Sequence, residues 1–178
     1  MSKPCRNCGK AFVKRKPMQV VCGLSCALEY QVGKRKAKAE KARRRQYRAD
    51  KERIKSLADH KRDTQVLVNK YIRLRDRDKP CVSCGQSPNI GQRHASHYRS
   101  RGAASQLSYN FLNIWASCAQ CNTMKSGAVV PYRVELVRRI GEDRVLALEH
   151  NNDKATFTVE YLKRLQKLMR RRIKHYSR

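Results

Sequence analysis

Eight cysteines, each in a short-spaced pair, carry the most definite chemistry in this chain. Cys81-Val-Ser-Cys84-Gly85 and Cys118-Ala-Gln-Cys121-Asn122 enclose a loop of middle length, and Cys5-Arg-Asn-Cys8-Gly9 is followed by Cys22-Gly-Leu-Ser-Cys26. Such a pair turns both sulfurs toward one ion, and two pairs complete a tetrahedral four-thiolate zinc site. The spacing predicts two structural zinc ions and no leftover thiol. Metal staples of this kind suit a reducing cytosol better than secreted disulfides do.

Inside the second frame lie His94-Ala-Ser-His97 and Asn113-Ile-Trp115, and Asn122 follows the last cysteine directly, with Lys125 and Ser126 close behind. This order is similar to that of HNH, or ββα-metal, nucleases, in which a β-hairpin carries a histidine and a short helix supplies a metal ligand. The competing reading is a zinc ribbon whose His97 and Asn122 only satisfy local backbone groups. A ribbon requires neither residue at these places.

Composition narrows the partners. Of 178 residues 42 are Lys or Arg and 14 are acidic, a formal charge of +28 with a pI near 10.4. An excess this large repels itself in the folded state, and the phosphate backbone of a nucleic acid is its natural counter-charge. An acidic membrane surface would answer the same charge, but no apolar run is long enough to span a bilayer and the first residues do not read as a signal. The length allows one or two small domains, each leaning on metal rather than on a large core.

The elements that must position these residues read in order. Residues 1–30 form a small zinc finger, with Gly9 in the turn and Phe12, Val20 and Val21 as a minimal apolar cover. Its role stays open between a structural cap and DNA contact through Lys10, Lys14, Arg15 and Lys16. From Ala27 to about Lys55 the chain predicts one polar helix, the core of a basic arm over 31–63. Arg43, Arg44 and Arg45 on it are candidate DNA contacts; a solvated or disordered arm is the alternative. Asp59 to Thr64 reads as a break and a new cap, followed by a helix with Leu67, Val68, Tyr71, Ile72 and Leu74 at helical spacing. It leads into a module over 64–155. There Gln92–His97 is the expected strand, and residues 98–112 are a loop offering Arg99 and Arg101 as phosphate clamps or as ordinary surface arginines. Lys125 joins them as a DNA-binding candidate. Two short helices follow, from Pro131 to a stop at Gly141 and over Glu142–Glu149. Residues 156–178 form a last basic helix capped by Thr158, with Leu162, Leu165, Met169, Ile173 and Tyr176 near heptad spacing, a stripe for intramolecular packing or for a dimer seam. The expected fold class is helix-rich α+β: zinc finger, long basic helix, zinc-framed ββα-metal module, C-terminal helices.

The order Cys81-x-x-Cys84-Gly85, His94-Ala-Ser-His97-Tyr98, Arg99-Ser-Arg-Gly-Ala-Ala104, Asn113-Ile, Cys118-x-x-Cys121-Asn122, Lys125-Ser-Gly127, Pro131-Tyr-Arg-Val-Glu-Leu136 and Arg138-Arg-Ile-Gly141 resembles the NinG (Rap) recombination proteins of lambdoid phages. The N-terminal cysteines and the basic helix resemble theirs too, so the likeness covers nearly the whole chain. It implies a DNA structure-specific endonuclease acting on Holliday junctions and D-loops in phage recombination, in the cytoplasm of the bacterial host. Branched DNA is the implied partner, with phage or host recombination proteins beside it. The module is similar to that of endonuclease VII junction resolvases, where four cysteines bind structural zinc and the following Asn binds the catalytic ion. Carried over, His97 is the general base, Asn122 a ligand of a catalytic Mg²⁺ or Mn²⁺, and Asn113 the residue that braces the motif. Many HNH enzymes place an acid before the histidine; here that residue is Ser96, a poor ligand. His94 is then the second ligand, or an ordinary strand histidine. Two symmetric nicks in a junction point to a homodimer. The missing acid favours the alternative, a non-catalytic zinc-dependent DNA-binding or annealing protein on an HNH scaffold.

Overall fold

The Cys-x-x-Cys-Gly turns, here called knuckles, set the local geometry in both halves of the chain, and they are built alike. The computed structural model describes residues 2–124 and 128–177. In each knuckle the first cysteine's N–H donates to the carbonyl five residues on, Lys10 or Gln86 (both 2.9 Å), and the glycine N–H donates back to the cysteine carbonyl, also at 2.9 Å. That tight return needs a left-handed residue, and Gly9 (φ 74°) and Gly85 (φ 72°) supply it without a Cβ penalty.

The chain divides into two units between Lys55 and Ser56. In the first, β1 (Lys3–Pro4) pairs antiparallel with β2 (Ala11–Phe12), and α1 runs unbroken from Leu24 to Arg53. Cys26 lies in the first turn of α1, so the second cysteine pair is anchored to the helix. The expected boundary at residues 30 and 31 therefore does not exist as a break. No residue of α1 is buried. It is held by the propensity of its Ala, Lys, Arg and Glu and by exposed pairs such as Glu40 with Arg43 (3.3 Å) and Arg44 (3.0 Å), each worth about 0.3–0.5 kcal/mol.

The second unit begins at Ser56, not at the break expected over 59–64. Ser56 accepts the Asp59 N–H (3.2 Å) while the Asp59 carboxylate accepts the Ser56 N–H (3.0 Å), a reciprocal cap that starts α2 (Leu57–Arg75). The run from Asp59 to Thr64 is thus helix, and His60 and Thr64 face inward. Gln166 donates to the His60 carbonyl (3.2 Å) and to Thr64 Oγ1 (3.0 Å). Gln166 belongs to α6 (Val159–Tyr176), which Thr158 caps through the Tyr161 N–H. Leu162, Leu165 and Met169 of α6 bury against Val68, Tyr71 and Ile72 of α2. The near-heptad stripe is therefore intramolecular, and the last helix is part of the second unit.

Against α2 packs a hairpin, β3 (Arg93–His97) with β4 (Ile114–Cys118), in register from Arg93 opposite Cys118 to His97 opposite Ile114. All five residues of β4 are buried. One face, through Ala95 and Ile114, joins the α2 and α6 cluster; Trp115 joins a second cluster with Tyr98, Tyr132, Leu136, Val145 and Leu148. Three helices follow the hairpin: α3 (Ala119–Thr123), α4 (Val129–Ile140) and α5 (Glu142–His150), with Gly141 at φ 85° turning the chain between the last two. The loop expected over 98–112 contains one 3₁₀ turn, Ser105–Leu107.

The free edge of β4 is closed by groups outside the sheet. Val82 of the second knuckle donates to the Ala116 carbonyl (3.1 Å), and the Ala116 N–H donates to Asp76 (3.2 Å). Asp76, fully buried, also accepts from Arg75 (2.7 Å) and Lys79 (3.2 Å). Arg75 in turn donates to the carbonyls of Phe111 and Ile114 and lies 4.3 Å from the Trp115 ring. Burial pushes the Asp76 carboxyl up, but the two cations outweigh it and hold its pKa below the ordinary value. A depressed folded pKa means stability that is complete above the unfolded carboxylate value and lost as pH falls through the folded one. Asp76→Ala, which strands Arg75, is expected to cost about 3–5 kcal/mol in denaturant unfolding at pH 7. The gap between Asp76→Asn and the parent should shrink on acidification into that range; a gap independent of pH would remove the ionic role.

Candidate metal and catalytic centre

Each group of four cysteines converges. Within Cys5, Cys8, Cys22 and Cys26, and within Cys81, Cys84, Cys118 and Cys121, all sulfurs lie within 4.8 Å of one another. Neighbouring sulfurs are 3.5–3.8 Å apart for Cys22 and Cys26, Cys8 and Cys22, and Cys84 and Cys118. A tetrahedron of bonds of about 2.3 Å to zinc has edges of about 3.8 Å, so both groups fit the ion, and both could bind it. Their protonation fits as well. Burial pushes Cys81 up, but the N–H groups of Cys118, Cys84 and Ser83 outweigh it and bring that thiol down to about 7. At Cys5 the N–H groups of Cys8, Asn7 and Cys22 overcome burial and bring it to about 6. Crowding by the sulfurs of Cys26, Cys5 and Cys8 pushes Cys22 up to about 12, and burial followed by Cys118 and Cys84 raises Cys121. In each group one thiol is thus eased toward its thiolate while neighbours hold their protons, and a bound cation would displace those. Among the described residues, no other grouping of three or more His, Cys, Asp or Glu ligand atoms converges this way.

The second group also positions the candidate catalytic residues. Cys118 Sγ accepts the Cys121 N–H (3.4 Å), capping the short helix α3 that carries Asn122. Asn122 Nδ2 reaches His94 Nδ1 on β3 at 3.1 Å. The two residues expected as ligands of a catalytic ion are thus side by side.

His97 stands apart from them. The register of β3 runs without a bulge, so His94 and His97, three residues apart, leave the strand on opposite faces. His97 shares the face of Ala95, toward α2. Its Nε2 is 3.1 Å from the Ser108 carbonyl, which can only accept, so Nε2 carries the proton and Nδ1 keeps its lone pair. Burial lowers the pKa of His97, the Ser108 carbonyl opposes this, and Arg101 lowers it further. The ring is therefore neutral at pH 7, with an acceptor nitrogen available.

Asn113 braces this corner. Fully buried, it accepts the Arg99 N–H (2.9 Å) and donates to the carbonyls of Arg99 (3.0 Å) and Leu107 (3.3 Å), tying the end of β3 to the loop. Its amide is spent on backbone groups, which makes it a positioning residue. Arg99 proves to be a helix cap. Its Nη1 lies 2.7–2.9 Å from the carbonyls of Leu148, Glu149 and Asn151, and Nη2 donates to Asn152 (3.0 Å), so the guanidinium expected to clamp phosphate closes the C-terminus of α5 instead. Arg101 is exposed, close enough for its charge to reach His97. Arg43, Arg44 and Arg45 are exposed on α1, the first two paired with Glu40. Lys125 lies outside the described residues. Sequence reasoning missed Asp76, hidden in the run Arg75-Asp-Arg-Asp78, where alternating charge reads as solvent; only the structure reveals that it closes a sheet edge.

The sequence matches the family described as Bacteriophage Lambda NinG protein over residues 1–178. It is 42% identical over 164 residues to Protein ninG of Escherichia phage lambda, covering 86% of this chain and 79% of the relative. It is 38% identical over 193 aligned positions to Protein ninG of Escherichia phage 933W (98% and 95%), and 40% identical over 164 residues to that of Salmonella phage P22 (86% and 80%). The chain belongs to the NinG family. No solved structure matches it. Among the described residues no helix is long and apolar enough to cross a membrane.

Because Cys121 completes the sulfur set and Cys118 caps α3, the metal and the helix stand or fall together. Elemental analysis of the parent should give two zinc ions per chain, and Cys121→Ser should give one, with loss of cooperative thermal unfolding in the second unit. Retention of both ions by Cys121→Ser would break this link.

Proposed function

We propose that this chain is a metal-dependent endonuclease acting on branched DNA, such as Holliday junctions and D-loops, in phage recombination. The observation that carries the reading is the pairing of His94 with Asn122 across a hairpin and a metal-capped helix. That is the place where an HNH module holds its catalytic ion. Membership of the NinG family and the charge of +28 support a DNA substrate.

With the Asn122 amide turned from its Nδ2 contact with His94 Nδ1, the donor set at this place would be one imidazole nitrogen and one amide oxygen. It fits a weakly held divalent ion that keeps several waters and takes substrate phosphate oxygens as further ligands. Carboxylate-poor sites favour Mn²⁺ over Mg²⁺, because imidazole is a poor partner for magnesium. When bound, the ion supplies stabilisation of charge on the phosphate and on the departing 3′-oxygen. His97 Nδ1 accepts a proton from the attacking water, its ring held in the productive tautomer by the Ser108 carbonyl. Asn113 fixes the loop that carries this carbonyl, and Arg101 faces the phosphate from the rim. Two symmetric nicks in a four-way junction call for a homodimer, although the α6 stripe is not its seam.

The opposite placement of His94 and His97 on β3, with Ser96 where an acid is common, favours a second reading: a zinc-dependent DNA-binding or annealing protein on an HNH scaffold. A labelled four-way junction incubated with and without Mn²⁺ or Mg²⁺ separates the two, with the mass of the complex read by light scattering. Metal-dependent paired nicks from a two-chain complex are expected. His97→Ala should keep its zinc, bind the junction as the parent does, and cut about 10²–10⁴-fold more slowly. The lowered pKa puts the acid limb of the pH–rate profile below the usual imidazole value of about 6.5, since activity is lost only as pH falls through the folded pKa. Parental cutting by His97→Ala would sink the nuclease assignment.

Exposed charge on α1 provides the sequence-independent part of binding. Replacing Arg43, Arg44 and Arg45 by Ala should weaken binding to duplex and junction alike. The log–log salt slope should flatten by about 0.9 for each phosphate that is no longer neutralised. An unchanged slope would make the helix a solvated spacer.

A further inference from the structure

We infer that a cleft between α2 and the loop after β3 takes one unstacked nucleotide of a branched DNA strand, and so gives this protein its preference for branch points. The inference rests on the reading that DNA is the substrate, but not on the cutting step. The cleft has a volume of about 540 Å³, within the usual range of small-molecule sites, about 300–1,000 Å³. It is too roomy for a lone phosphate and is walled by three kinds of group, each matching one part of a nucleotide.

The aromatic wall is Phe157, half-buried, with Tyr109 at 4.9 Å and 66°; Tyr161, outside the lining, stacks on Phe157 at 5.5 Å and 26°. Tyr109 is held in place by its hydroxyl, which donates to the Lys61 carbonyl (3.1 Å). Aromatic faces of this kind take any base, because every base has a π-face. The polar wall is an amide pair. Gln65, only 8% exposed, donates Nε2 to Asn69 Oδ1 at 2.7 Å, and its own Oε1 is buried without a hydrogen-bond partner. Buried carbonyls without a donor are rare in native proteins and mark places where something outside the chain supplies one. The exocyclic amine or ring N–H of a base is such a donor, and the Asn69 amide N–H groups offer the complementary half of a base-edge contact.

The basic rim joins the cleft to the candidate catalytic corner. Lys61 and Arg101 line it, and Ser108, which also lines it, holds His97 through its carbonyl. A base lodged between Phe157 and the amide pair therefore brings its own phosphate to Arg101 and toward the face of the hairpin that carries His97. Lifting a base out of a paired stack is costly and is cheapest where pairing is already lost. Branch points offer such bases, whereas a continuous duplex does not.

The test uses the full zinc-loaded chain without added Mg²⁺ or Mn²⁺, so that no cutting intervenes. Junctions and matched duplexes carry 2-aminopurine or 5-iodo-deoxyuridine at the branch position. Binding is expected to raise 2-aminopurine fluorescence on the junction and not on the duplex, and photocrosslinks should map to the peptide containing Phe157 or Tyr109. Asn69→Leu and, separately, Phe157→Leu should abolish the fluorescence rise and reduce the preference for junction over duplex roughly tenfold, the scale of one base–aromatic stack. Duplex affinity should stay at the parental value in both, which also shows that each variant is folded. A rise that persists in both variants, or crosslinks confined to peptides outside the cleft, would overturn the inference. If the rise is present but the parent does not cut with Mn²⁺, the nuclease reading fails and the cleft stands. If the parent cuts without the rise, the cleft fails and the nuclease stands.

Discussion

The convergence of four cysteine sulfurs on a point that could hold a single cation is the constraint around which the second unit is arranged. Cys81 and Cys84 precede the hairpin, while Cys118 ends β4 and Cys121 lies in α3, so one ion would tie the segment before the hairpin to the segment after it. Val82, inside the first pair, closes the edge of β4, and Cys118 caps the helix that presents Asn122. The binding free energy of such an ion would also be folding free energy for the hairpin and for the residues that the hairpin displays. In a chain this small and this charged, apolar burial alone is a weak alternative.

A second layer of order comes from polar groups placed where water is excluded. Asp76 and Arg75 finish a sheet edge, Asn113 pins a loop to a strand, and Arg99 satisfies the last carbonyls of α5. Each answers backbone groups that would otherwise be buried unpaired, which is costlier than any single hydrogen bond is favourable. Polar residues here are therefore as much part of the core as Ile72 or Leu136.

Much of this was legible in the sequence, for physical reasons that differ by element. Cysteine pairs announce their geometry because a short spacing allows few arrangements, and α6 announced itself by Thr158 and a periodic apolar stripe. Gly141 marked a helix end because only a residue without Cβ sits easily at φ 85°. The start of α2 was misplaced because Asp59, His60 and Thr64 look like solvent-facing polar residues, while the cap that decides the matter is the reciprocal pair of Ser56 and Asp59. Arg99 was misread for a related reason. An arginine in a loop has no sequence signature that tells a carbonyl partner far along the chain from a phosphate. His94 and Asn122 were read as partners through the family resemblance, and their distance agrees; their separation from His97 is a matter of strand pleating that motif order does not display.

The first unit carries one more implication. Thirty residues of helix, at about 1.5 Å each, make α1 a rod about 45 Å long, which exceeds one turn of duplex DNA at about 34 Å. With no side chain buried along it, this rod rests on its own backbone hydrogen bonds, on surface pairs, and at its start on Cys26 and on Glu29, which accepts from Asn7 (2.6 Å). Its positive charges repel one another until something neutralises them. Like charges spaced along such a rod favour its extended form, and the same repulsion works against the helix that carries them.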